Sequence, residues 1–455
     1  MLEGIAKTSS EGGLERPTRH IIDWKNPDFL NEEKYEAELR RVFDICHGCR
    51  RCFNLCESFP NLFDMIDESK TGELDGVASS DFGKVVDACT MCDMCFLTKC
   101  PYVPPHEFNL DFPHLMLRYR YAKRQKNKHS FIDDQLTKTD RNGKTFSKFS
   151  NLINWSTNTN NRMVRGAMEL LLKVDKEAEL PNYYDKTFSK QCKKLSDKKI
   201  ENTSKDKVVL FPTCFVNYNN PNLGFTAKRI LEKLNIETHV FYEGCCGMPQ
   251  LEGGDIKSVE KKALHTSKLL KEFIDDGYKV LAIVPSCTLM LKYEWPLINN
   301  EDENISLLSK NTYDICEYLH QKIQTFDDSL LSAIPNFNGV TVHISCHSRA
   351  QNIGQKANEL LKLVPELKVD VIERCSGHGG SWGVKKGNFD LALKVGKPVA
   401  RKTIQLENEY LVSECPLAGV HINQGVQKID KKQTIKTLSH PIEIIEKSLF
   451  KPEES

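Results

Sequence analysis

Fifteen of the 17 cysteines in this chain of 455 residues stand at spacings that suit metal ligation. Cys46, Cys49, Cys52 and Cys56 follow a C-x2-C-x2-C-x3-C run; Cys89, Cys92, Cys95 and Cys100-Pro101 repeat it with one extra residue before the last thiol. Three thiols two residues apart wrap one face of a small volume, and a fourth from elsewhere closes it, as a cubane iron–sulfur cluster requires. In paired runs of this kind the fourth cysteine serves the other cluster. The expected sets are therefore Cys46, Cys49, Cys52 and Cys100 for one [4Fe–4S] cluster, and Cys89, Cys92, Cys95 and Cys56 for a second. Two structural zinc ions are the weaker alternative, because zinc sites usually pair one C-x-x-C with a distant second pair.

Seven further cysteines each follow a β-rich run. Val208–Phe211 leads to Cys214, Val240–Tyr242 to Cys245 and Cys246, and Leu281–Val284 to Cys287. Val340–Ile344 then leads to Cys346, Val369–Ile372 to Cys375, and Leu411–Val412 to Cys415. The second triplet is offset from the first by 132, 130 and 128 residues, which indicates a duplicated domain. Helical patterns at Phe225–Leu234, Val259–Phe273, Ala357–Val364 and Phe389–Ile404 alternate with the strands, as in a parallel α/β sheet. Ligands gather beyond the carboxyl ends of such strands, so each half is expected to hold one metal nest there. The first offers Cys214, Cys245, Cys246 and Cys287. In the second, Ser376 replaces one thiol, leaving Cys346, Cys375 and Cys415 with His378 or His347 as an imidazole donor. Cys192 and Cys316 lie outside the repeat.

Helices must carry the first eight thiols. Tyr35, Leu39, Val42 and Phe43 recur at helical spacing into Cys46. A second short helix is expected after Pro60 with Leu62, Phe63 and Ile66, and a third, capped by Ser80 or Asp81, with Phe82, Val85 and Val86. This part resembles the alpha-helical ferredoxin domain of iron–sulfur subunits in quinone-linked dehydrogenases. Gly244-Cys245-Cys246-Gly247 and the Pro-x-Cys steps at Pro212 and Pro285 resemble the cysteine-rich CCG domain family. The order of two ferredoxin motifs before two CCG modules is similar to the C-subunit type of anaerobic glycerol-3-phosphate dehydrogenase. More distantly it is similar to the heterodisulfide reductase catalytic subunit and to iron–sulfur subunits of glycolate and lactate oxidation.

The resemblance implies an α+β multidomain chain: an N-terminal tail (1–30), a ferredoxin domain (31–110), a helical connector and linker (111–206), and CCG modules at 207–335 and 336–455. It implies iron–sulfur electron transfer beside a redox partner, usually a flavoprotein dehydrogenase or reductase, with a quinone or a CCG centre as the other terminus. A further iron–sulfur cluster or a zinc ion in the CCG modules is expected. A reductase acting on a disulfide at the CCG site, and a zinc-stabilised docking module, are the competing readings.

Composition fits a soluble globular protein with a sizeable core and no nucleic-acid role. Lys+Arg 63 against Asp+Glu 62 leaves a net charge of +1, so no global field draws the chain to nucleic acid or to an anionic membrane. Residues 1–20 lack an apolar signal region, and no apolar stretch is long enough to span a bilayer, so a cytoplasmic location is expected, with a peripheral position at the inner membrane face compatible. No dinucleotide or P-loop fingerprint is present. In the connector, Phe146, Phe149, Leu152 and Ile153, and then Met163, Ala167, Leu170 and Leu171, mark amphipathic helices. Six basic residues between Arg118 and Lys128 read as a solvated helix face. Tyr119, Tyr121 and Trp155 suit either packing or a membrane interface. Lys193–Lys207 reads as a charged linker.

Overall fold

A computed structural model describes residues 17–195, 206–326, 328–431 and 435–450. Most of the expected linker, and the first half of the expected tail, fall outside the described residues. The chain divides into two compact units: the part up to His129 with Leu251–Ile256, and Ser130–Gln250 with the part from Lys257 onward.

The first unit is helical. Helix Glu32–Cys49 is capped by Asn31, whose side chain accepts from the Lys34 amide, and it buries Tyr35, Leu39, Val42 and Phe43. It carries Cys46 and Cys49 and ends at Arg50, which is left-handed at φ 52°. The second helix, Ser58–Asp67, begins before Pro60 instead of after it. A proline in the first turn removes an amide that has no helical partner, so it does not delay the start. Helix Phe82–Ala88 follows Asp81 and packs Phe82 edge-on against Phe43.

This unit is larger than the expected 31–110. Helix Phe112–Gln125 belongs to it, and Arg19 is tied in by ion pairs of 2.8 Å to both Asp93 and Asp111. The basic run is a solvated face only at its end, where Lys126 and Lys128 are exposed; its arginines are engaged. Arg118 donates to the carbonyls of Asp28 and Phe29, Arg120 to those of Val86, Cys89 and Glu252, and Arg124 pairs with Asp255 at 3.2 Å. Arg118 and Arg120 thus add side-chain donors to carbonyls at helix ends and loops, among them those of Asp28 and Val86, which also accept backbone amides. Tyr119 and Tyr121 are buried, so neither is available to a membrane.

The second unit holds two four-stranded parallel sheets. The first contains β1 (Lys207–Phe211), β2 (Glu237–Val240), β3 (Lys279–Ala282) and β4 (Thr312–Asp314) in the order β2-β1-β3-β4. The second contains β5 (Val340–His343), β6 (Val369–Ile372), β7 (Tyr410–Ser413) and β8 (Lys436–Leu438) in the matching order β6-β5-β7-β8. The duplication read from the cysteine offsets is thus a duplication of topology. β2 and β3 end two residues before the apolar runs do, because apolar side chains continue into the loops after the ladder stops. β4 and β8 are three residues long and partly polar, too short to show a period.

Val208, Leu210, Leu281 and Ile283 share one buried cluster with Val340, Val342, Ile344 and Val412, so a common core joins both sheets. Such doubly covered strands read as continuous apolar runs. The connector helices are Thr139–Lys148, Ser150–Thr157 and Arg162–Leu172, with a break at Phe149 within the first expected amphipathic segment. Gly143 lets the first of them lie directly on Tyr218, where a Cβ would stand 2.3 Å from the ring.

Candidate metal centres

In the helical unit, Cys46, Cys49, Cys52 and Cys100 line one cavity, walled by Phe59, Phe63 and Leu110. Burial, then the charges of Cys100, Cys52 and Cys49, raises the Cys46 pKa well above the usual thiol value. Cys95 is raised by burial and then by Cys92, Cys89 and Cys56. Cys100 of the second run thus lines a cavity with three thiols of the first, and Cys95 is near thiols of both runs, Cys56 and Cys52 included. A second cavity is lined by Cys46, Cys52, Cys95 and Cys100.

The loops are shaped for this. The residue that makes the second run one longer is absorbed by a π-helical turn over Cys95–Lys99, in which the Cys100 amide donates to the Cys95 carbonyl at 2.8 Å. Such one-residue expansions of a helix recur at functional sites. Met91 and Asp93 are both left-handed, at φ 47° and 60°. Each costs roughly 1–2 kcal/mol. Alternation of left- and right-handed residues turns successive amides inward, as in anion and iron–sulfur nests. The Arg19–Asp93 pair fixes that loop.

The first nest stands where the strand order reverses, with Cys214 after β1, Cys245 and Cys246 after β2, and Cys287 after β3. Its four thiols form a chain of contacts. Cys214 and Cys245 hydrogen-bond, as do Cys245 and Cys246, and Cys246 lies 3.0 Å from Cys287. Hydrogen bonds from Cys214 and Cys246 pull the Cys245 pKa well down against its burial, helped by Lys262 and Thr139. The Gly247 amide donates to the Cys245 sulfur at 3.4 Å, and the buried Trp295 indole donates to the Cys246 carbonyl at 3.0 Å. Thiols this close form a four-sulfur donor set. Their packing is tighter than the ~3.8 Å sulfur separation of a tetrahedron built on ~2.3 Å zinc–sulfur bonds. Among the described residues, no group of three or more His, Cys, Asp or Glu side chains is arranged for a single metal ion.

The second nest repeats the placement with a different filling. Cys346, Cys375 and Cys415 follow β5, β6 and β7. The Gly377 amide donates to the Cys375 sulfur at 3.4 Å, as Gly247 does to Cys245. Cys375 is raised by burial and held back by its hydrogen bond from Gly377 and by Arg349 and Arg374. The Ser376 hydroxyl accepts from the His378 amide at 3.4 Å. His378 is half-buried beside His421, with ring centroids 6.1 Å apart, and desolvation and then His421 push its pKa down to about 3. His347 bonds Ser286 at 2.8 Å. That bond joins the neighbours of Cys346 and Cys287, so the two nests lie close together.

Several site residues carry no sequence signal. Thr139 and Asp140, from the connector, reach Cys245 and the Tyr242–Lys262 pair; a lone Thr-Asp about a hundred residues upstream shows nothing of this. Glu414, adjoining Cys415, accepts from the Ser345 amide at 3.1 Å. Burial and then Asp314 push its pKa to about 8. Cys192 and Cys316 are buried in the apolar core, as bystanders.

The sequence profile of the cysteine-rich domain, CCG, matches residues 208–292 and 340–423. Over 340 residues the chain is 26% identical to the C subunit of the anaerobic glycerol-3-phosphate dehydrogenase of Escherichia coli K12, covering 73% of this chain and 80% of that protein. Identity to the B subunit of the fumarate reductase (CoM/CoB) of Methanothermobacter marburgensis is 28%, covering 49% of this chain and 42% of the relative. Identity to the D subunit of the dihydromethanophenazine:CoB–CoM heterodisulfide reductase of Methanosarcina barkeri is 27%, covering 50% and 56%. Two nests on duplicated sheets, each matched by the profile, show that the chain carries two tandem CCG cysteine-rich domains and is homologous to these oxidoreductase subunits.

Proposed function

We propose that this chain is an iron–sulfur electron-transfer subunit of an oxidoreductase. It passes single electrons between a partner, of flavoprotein dehydrogenase or reductase type, and a centre in the CCG nests or a quinone. The observation that carries the reading is the cavity that Cys46, Cys49, Cys52 and Cys100 line together, with a second cavity that Cys95 shares with Cys46, Cys52 and Cys100. When bound, a [4Fe–4S] cluster in each set supplies reversible one-electron chemistry that side chains lack. Cys46, Cys49, Cys52 and Cys100 hold one, Cys89, Cys92, Cys95 and Cys56 the other, in a ferredoxin-type unit. The first nest, with four thiols, suits a further iron–sulfur centre. The second offers Cys346, Cys375 and Cys415, with His378 as the fourth donor, and suits zinc or a cluster. The nearness of the two nests favours, as a second reading, reduction of a small substrate between them. Reductive titration followed by electron paramagnetic resonance tests the main reading.

A peripheral position on the inner membrane face completes the proposal. No described helix is long and apolar enough to cross a membrane. Helices Ser150–Thr157 and Arg162–Leu172 pack together and expose Leu152, Trp155 (59%), Met163 (88%), Leu170 and Leu171, with Phe149 at the break. Exposed Lys144, Lys148, Arg162 and Lys173 surround these apolar groups, while the nearby acids Asp140 and Glu169 are engaged by Lys262 and Lys386. An apolar face with a tryptophan and a cationic rim is complementary to anionic lipid. The protein is expected to co-sediment with vesicles containing phosphatidylglycerol and weakly with phosphatidylcholine alone. Trp155→Ser with Leu170→Ser should weaken sedimentation about tenfold. Equal sedimentation of the variant, or none by the wild type, would assign the face to a protein partner.

A further inference from the structure

An ion pair lies directly on the Gly244–Gly247 loop that presents Cys245 and Cys246. The Lys262 ammonium contacts Asp140 at 2.5 Å, and Asp140 accepts from the Tyr242 hydroxyl at 2.8 Å. A Cβ on Gly244 would stand 3.5 Å from the Asp140 carboxylate and 4.0 Å from the Lys262 nitrogen. A Cβ on Gly247 would stand 3.5 Å from Lys262 Cδ. The pair thus lies at ordinary contact distance from the thiol loop. Both members are about three-quarters buried, at 25% and 21% exposure. The Lys262 pKa is raised even though burial opposes it, by Asp140 and then by Cys245 and Cys246. Lys262 comes from helix Ile256–Asp275 and Asp140 from the connector helix docked through Gly143 on Tyr218, so three elements converge on the loop.

We infer that Lys262 and Asp140 are an electrostatic pair that sets the reduction potential of the first-nest centre, Lys262 raising it and Asp140 lowering it and holding the lysine in place. The inference rests on the reading that the first nest holds an iron–sulfur centre. The Lys262 ammonium stabilises the negative charge that one electron leaves there; no bond breaks and no proton moves. At this exposure a unit charge several ångströms away is worth about threefold to tenfold in a one-electron equilibrium, tenfold being 59 mV.

The test is dithionite titration of full-length holoprotein, read by electron paramagnetic resonance. The first-nest signal is the one lost in Cys287→Ser and kept in Cys100→Ser. Lys262→Met is expected to lower its midpoint potential and Asp140→Asn to raise it, with Lys262→Arg close to wild type. General damage to the loop would move both variants the same way. Shifts of the same sign, or none, with the signal present in wild type, would overturn the inference. Absence of any signal that depends on Cys287 in wild type would instead overturn the reading on which it rests.

Discussion

Cys100→Ser is expected to abolish the cluster held with Cys46, Cys49 and Cys52, and to spare the one built on Cys89, Cys92 and Cys95, although Cys100 lies in the second run. The reason is geometric. Cys100 lines the cavity of the first run, and Cys56 is among the thiols acting on Cys95. The π-helical turn over Cys95–Lys99 separates Cys100 from the thiol five residues before it. Replacing a thiolate by an alcohol removes a soft anionic ligand that a cubane cannot replace from solvent. About four irons should be lost per chain, with the paramagnetic signal of one reduced cluster. Cys56→Ser should remove the other cluster. If Cys100→Ser removed the signal that depends on Cys92, the clusters would be held run by run and the crossed sets would be wrong.

Gly396→Ala is expected to destabilise the second CCG module by about 3 kcal/mol or more, because the helix cannot give way without moving its neighbours. A Cβ on Gly396 would fall 2.1 Å from the Ser376 carbonyl oxygen. The contact is reciprocal, since a Cβ on Gly377 would fall 2.0 Å from the Ala392 carbonyl oxygen, at a φ of +81°. These two glycines bring the Cys375 loop onto helix Phe389–Gln405, so the change displaces Cys375 while leaving the first nest in place. Gly166→Ala is the counterpart: its Cβ would meet nothing within 4 Å, and the helix there should gain roughly 0.5–1 kcal/mol. Thermal unfolding of the two variants checks the contrast, and equal melting temperatures would show that the loop does not depend on the contact.

The parts visible in the sequence are those with a period or a fixed spacing. The helix into Cys46 shows its buried face as Tyr35, Leu39, Val42 and Phe43, and β1 and β5 show theirs as unbroken apolar runs. The repeat of about 130 residues locates both nests, because each cysteine follows its strand at a nearly constant distance. Single residues brought in from far away leave no such trace. Asp140 reaches the first nest only because Gly143 allows its helix to lie on Tyr218, a contact that no local pattern encodes. The basic run from Arg118 to Lys128 looks like a solvent face because sequence shows charge but not the carbonyls that receive it. The apolar connector positions at Leu152, Trp155, Met163 and Leu170 follow helical spacing correctly, yet their face is exposed, since periodicity reports an apolar side and not what covers it. Ser376 is legible as a lost thiol, but its bond from the His378 amide belongs to the loop's geometry.

The central claim is that the crossed thiol sets hold two one-electron centres. Reductive titration of anaerobically purified protein, with iron and acid-labile sulfide counted on the same sample, tests it most directly. The expected result is about eight irons and eight sulfides in the helical unit, with two reduced-cluster signals, one lost in Cys100→Ser and the other in Cys56→Ser. Stoichiometric zinc without labile sulfide, or protein that takes up no electrons from dithionite, would contradict it.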